Sequence, residues 1–122
     1  MHDPKIDGDC IRWADSSLLQ IEAGYDNFSI LVQEGSGTKK IVTCAGYIGY
    51  QMIGFWDEVI VETARVLSDH PFLVECEKRL ISLPANGAKD RSAVGNHLLD
   101  IALIDGCRFW VCAHHFRCDS AQ

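Results

Sequence analysis

Four residues near the C-terminus carry the side chains best suited to chemistry: His97, Cys112, His114 and Cys118. Imidazole nitrogens and thiolate sulfurs are the usual ligands of zinc, which takes four of them in a tetrahedral shell. Spacing alone does not assemble such a shell, because the chain has no Cys-x-x-Cys pair and buried His and Cys also serve packing. A hairpin would do it. Asp105-Gly106 lies between two alternating apolar runs, 98–104 and 107–116, and is the strongest short-range signal for a two-residue turn. With Asp105 and Gly106 at its centre, Ile104 faces Cys107, Leu103 faces Arg108, Ile101 faces Trp110, Leu99 faces Cys112 and His97 faces His114. His97, Cys112 and His114 then project from one face, and Cys118 joins them if the strand continues. Zinc on these four is the alternative to a chain with no cofactor. A thiol–imidazole nucleophile built from Cys112 with His97 or His114 would need an electropositive, partly exposed setting, which an acidic chain does not advertise. His114 and His115 must point to opposite faces of a strand, so they share no site.

Other constellations have plainer readings. Glu34-Gly35-Ser36-Gly37-Thr38-Lys39 is reminiscent of a phosphate loop, but a Walker lysine is followed by Ser or Thr and opens a helix, whereas here alternating strands flank the loop. It reads as a hairpin turn. Asp57, Glu58 and Glu62 have no visible partner carboxylate and read as a solvated face. No acid–base catalyst can be named, and the chain is expected to be non-enzymatic. The segment from position 47 to 58 offers more, because aromatic side chains flanked by acids anchor protein interfaces and glycines admit close backbone approach. Its candidate partner-binding residues are Tyr47, Tyr50, Phe55, Trp56, Asp57 and Glu58. Against this, Phe55 and Trp56 are better suited to plugging a core, since large aromatics usually dominate interior packing.

The elements that must position these residues follow from periodicity. Residues 16–22 read as a strand, 24–27 as a turn, and 28–34 as a second strand with Phe28, Ile30 and Val32 on one face. A third strand spans 39–47. The glycines at 46, 49 and 54 then suit a bent strand or an aromatic-rich loop. Residues 57–67 fit both a helical face and, through their β-branched side chains, a strand; they are read as a strand. Asp69-His70-Pro71 opens a helix of about 70–83 with Phe72, Leu73, Cys76, Leu80 and Leu83 on its apolar face. The expected fold is α+β: a curved, mainly antiparallel sheet of about six strands with this helix packed on it, and the last hairpin central and covered on both faces.

With 122 residues and no linker or repeat, one domain is expected. The 17 acidic against 11 basic residues leave a net charge of -6, which disfavours nucleic acid and anionic membrane and favours a basic protein partner. No apolar run approaches the roughly 20 residues of a membrane span. Positions 1–10 lack the basic start and apolar core of a secretory signal, so the chain is expected in the cytoplasm with its six cysteines as reduced thiols.

Ala14-Asp15-Ser16-Ser17-Leu18-Leu19-Gln20-Ile21, the meander after it, and Trp56-Asp57-Glu58-Val59-Ile60-Val61 resemble the small β-meander immunity proteins of bacterial toxin systems. The resemblance rests on strand order, size and acidity over about two thirds of the chain. It implies a cytoplasmic inhibitor without enzymatic activity, which occludes a toxin through an acidic surface with aromatic anchors. Two rivals are the zinc protein described above and a small-ligand binder with Tyr47, Tyr50 and Trp56 as pocket walls.

Overall fold

Strict alternation along residues 27–33 places Phe28, Ile30 and Val32 in the core, each fully buried, with the intervening side chains turned outward. The same rule builds most of the molecule. The computed structural model describes residues 11–25, 27–53, 59–81 and 95–121. Its elements are β1 (Ser17–Ala23), β2 (Asn27–Gln33), β3 (Lys39–Ala45), β4 (Gly49–Ile53), β5 (Val61–Leu67), α1 (Pro71–Ile81), β6 (His97–Leu103), β7 (Arg108–Ala113) and β8 (His115–Ser120).

The strands form two antiparallel sheets of four, in the orders β1-β2-β3-β8 and β4-β7-β6-β5. Their inner faces share one core: Leu18, Phe28, Ile30, Val32, Val42, Cys44 and Phe116 from the first sheet meet Val61, Leu99, Ile101, Leu103, Phe109 and Val111 from the second. In place of the expected single curved sheet of about six strands, the described residues form a two-layer sandwich of eight. The difference arises where the chain changes layer. After Ala45 it turns at Gly46, whose φ of 65° favours glycine, and re-emerges as β4. Across from it, β7 breaks at His114 and continues as β8. Ala45 pairs with His115 and Gly49 with Cys112, so β3–β4 and β8–β7 run as one bent ribbon through both sheets.

The β6–β7 hairpin exists, but its register differs by one residue from the sequence expectation. His97 faces Ala113, Leu98 faces Cys112, Asp100 faces Trp110 and Ala102 faces Arg108. The loop has three residues, not two: Leu103 N–H donates to the Cys107 carbonyl at 2.9 Å, Gly106 N–H donates to the Leu103 carbonyl at 3.0 Å, and Gly106 takes the left-handed φ of 91°. Cys107 N–H also donates to Asp105 Oδ1 at 3.0 Å, which holds the Asp105 carboxyl below its usual range. The β2–β3 turn repeats the pattern, with Glu34 N–H bonded to Thr38, Gly37 N–H bonded to Glu34, and Gly37 at φ 98°. The segment resembling a phosphate loop is thus a hairpin turn.

Helix α1 starts where Pro71 predicts it. Phe72 N–H donates to His70 Nδ1 at 3.0 Å, so His70 caps the first turn. Leu73, Cys76 and Leu80 are buried, and the helix covers the outer face of the second sheet at Leu98 and Cys112, with Phe72 against Trp110. Beside it on the same face, the buried Asp100 carboxylate accepts from Trp110 Nε1 at 2.9 Å, Arg108 Nη1 at 3.2 Å and Arg65 Nε at 3.4 Å. The last hairpin is central, as expected, because the core covers one face and α1 part of the other.

Candidate partner-binding cleft

An edge strand keeps one row of backbone groups and one flank of side chains available. Among the described residues, β1 edges the first sheet and β4 the second. β1 is tied to the start of β5, where Ser17 bridges Ile60 and Val61 N–H donates to the Ser16 carbonyl at 2.8 Å, and it forms no ladder with β4 among the described residues. β1 and β4 thus stay unpaired with each other among the described residues. A cleft of about 400 Å³ lies there, lined by Leu19, Gln20, Ile21, Tyr50, Met52 and Phe109.

Local sequence explains each wall. The β1–β2 ladder slips between Leu18 and Gln20, so Leu19 is the extra residue of a bulge and remains 41% exposed although Leu18 beside it is buried. On β4, Tyr50 and Met52 face inward opposite Val111 and Phe109, yet Tyr50 keeps 50% of its surface because no strand covers that edge among the described residues. The Phe28 ring organises the aromatics: it lies 4.7 Å from Tyr50, 5.5 Å from Tyr47 and 5.8 Å from Phe109. Tyr47 donates its hydroxyl to the Gly24 carbonyl at 2.7 Å. Tyr47 is therefore held in the scaffold, and Tyr50 is the aromatic left half-exposed at the surface.

Of the partner-binding residues read from the sequence, Tyr47 and Tyr50 are brought together, with rings 6.2 Å apart. Phe55, Trp56, Asp57 and Glu58 lie outside the described residues. Leu19, Gln20 and Ile21 were not among the candidates; the adjacent Leu18-Leu19, which interrupts alternation, is the signal that marks the bulge.

The proposed zinc set is not assembled. The one-residue change of register turns His97 to the face of Ala113 and Cys112 to the opposite face with Leu98. His114 stands exposed at the ribbon's corner, its ring 3.2 Å from where a Cβ on Gly95 would be, and Cys118 pairs with Val42 in the other sheet. Among the described residues no group of three or more His, Cys, Asp or Glu could hold a metal ion. Cys118 is moreover disulfide-bonded, whereas Cys44, Cys76, Cys107 and Cys112 are reduced thiols. The expectation of reduced thiols throughout thus fails at Cys118. No helix among the described residues is long and apolar enough to cross a membrane.

Comparison of the chain with protein-family models, with curated proteins and with solved structures found no match.

Proposed function

We propose that this chain is a non-enzymatic protein-binding domain whose partner docks at the cleft between β1 and β4, and that it acts as an immunity-type inhibitor of a toxin. The observation that carries the reading is the half-exposed Tyr50 and Leu19 flanking an apolar opening between two strand edges. Aromatic side chains in such pockets dominate binding energy, and an open edge offers backbone hydrogen bonds to an added strand. The net charge of -6 favours a basic partner and speeds its encounter.

The test uses the basic C-terminal domain of a toxin-like protein encoded beside this chain, with affinity measured by titration calorimetry. Leu19→Asp and Tyr50→Ala are each expected to weaken binding by about tenfold or more, equivalent to about 1.4 kcal/mol. Thermal unfolding identifies any loss due to misfolding, since Tyr50 also touches Phe28. Unchanged affinity in folded Leu19→Asp would remove the cleft from the interface, and the absence of any such neighbour would remove the toxin. The cleft also has the volume of a small-ligand site. A metabolite that raised the melting temperature of the native protein but not of Tyr50→Ala would favour that second reading.

A further inference from the structure

Helix α1 meets the outer face of the second sheet at a point where two cysteines pack together. Cys76 comes from the buried face of α1 and Cys112 from β7, and both belong to one buried cluster with Leu73 and Leu98. Gly49 lies directly opposite Cys112 in the β4–β7 ladder. A Cβ on Gly49 would collide with the Cys76 sulfur and come within 3.5 Å of Cys76 Cβ. The Cys76 sulfur therefore fills the space of the absent side chain, beside the cross-strand neighbour Cys112. Glycine at 49 is what permits the approach.

The two sulfurs differ in access. Cys76, with 6% of its surface exposed, lines a cleft of about 370 Å³ that shares Tyr50 with the one between β1 and β4, together with Gly49, Gln51, Phe72, Glu75 and Arg79. Cys112 is fully buried behind it. One thiol on the wall of an open cleft with a second in contact behind it is the arrangement of an attacking and a resolving cysteine.

We propose that Cys76 and Cys112 form a thiol–disulfide exchange site for low-molecular-weight disulfides of the glutathione type. The Cys76 thiolate attacks one sulfur of the incoming disulfide; the Cys76–sulfur bond forms as the disulfide bond breaks, and the departing thiolate takes up the proton that Cys76 released. Cys112 then attacks the Cys76 sulfur, forming the Cys76–Cys112 disulfide. The second small thiol leaves with the Cys112 proton. Two protein thiols are oxidised and one small disulfide is reduced to two thiols, so no other oxidant is required. The hydrogen bond from Cys112 and, more weakly, the positive charge of Arg79 hold the Cys76 thiol below its usual range against burial and the carboxylates of Glu75 and Glu77. Cys112 is pushed up by the same hydrogen bond and by its burial, as suits a thiol that waits for the first step. The two clefts share Tyr50, and the thiol chemistry is read on the free chain with no partner docked between β1 and β4.

The folded protein is incubated with oxidised glutathione, quenched with acid, alkylated and digested for mass spectrometry. The expected product is a peptide pair joined through Cys76 and Cys112, two hydrogens lighter than the reduced pair. In Cys112→Ala the reaction is expected to halt at a glutathione adduct on Cys76. In Cys76→Ser, modification of Cys112 is expected to slow by about tenfold or more. Circular dichroism verifies that each variant is folded, and the wild-type peptide map decides the matter without them. Adducts confined to Cys107, or exchange confined to Cys118, with Cys76 and Cys112 both recovered alkylated, would overturn the proposal.

Discussion

Asp100 shows how much one side chain organises. It is a buried carboxylate in the middle of a central strand, with only 4% of its surface exposed. Such a charge is tolerated only when its oxygens are bonded. Its two oxygens receive Trp110 and the guanidinium groups of Arg65 and Arg108, whose side chains remain 66% and 45% exposed. Replacement by alanine strands the Trp110 indole N–H, while both arginines reach water. Asp100→Ala is therefore expected to destabilise the fold by about 2 kcal/mol, less than the loss from a fully buried pair. The check is the urea midpoint at unchanged slope. Arginine variants at either exposed position are expected to move that midpoint far less.

At the level of elements, α1 depends on its cap. His70 accepts the Phe72 N–H and sets its ring 4.8 Å from Trp110, edge to face. His70→Ala is expected to cost about 1 kcal/mol, seen as a fall of about 4 °C in melting temperature. The helix was legible from Asp69-His70-Pro71 and the spacing of Leu73, Cys76 and Leu80, because capping and amphipathicity are local. So was the β1–β2–β3 meander, through the alternation of Phe28, Ile30 and Val32. The register of the last hairpin was not. Asp-Gly suits a two-residue turn, but Ile104 joins the loop and Gly106 occupies its third, left-handed position, as Gly37 does in the earlier turn. That shared placement of glycine was the available signal. The contact of Cys76 with Cys112 leaves no trace in spacing, since the two cysteines meet only by packing, whereas the break at His114 is marked by the adjacent polar pair His114-His115, which interrupts alternation between the core residues Ala113 and Phe116.

The whole molecule responds to pH through its interior thiols. Burial pushes the Cys44 thiol well above its usual value of 9.0, so the folded state keeps a proton that the unfolded chain gives up. Stability from this group is complete below the unfolded titration and declines as pH rises beyond it, by about 1.4 kcal/mol per pH unit. Cys112 acts in the same sense, and Cys76, held low, in the opposite one. Urea unfolding at pH 7, 9 and 10 is expected to show falling stability, with a shallower decline in Cys44→Ala than in the native protein. The bent ribbon has a consequence of another kind. β3 finds its second neighbour only in residues 115–120, so a nascent chain halted at Ala113 holds Val42 and Cys44 on a strand with one flank bare. The first sheet is completed only by residues far along the chain from β3, and the pairing of Cys44 with Phe116 closes a long loop, the kind of long-range step that slows folding.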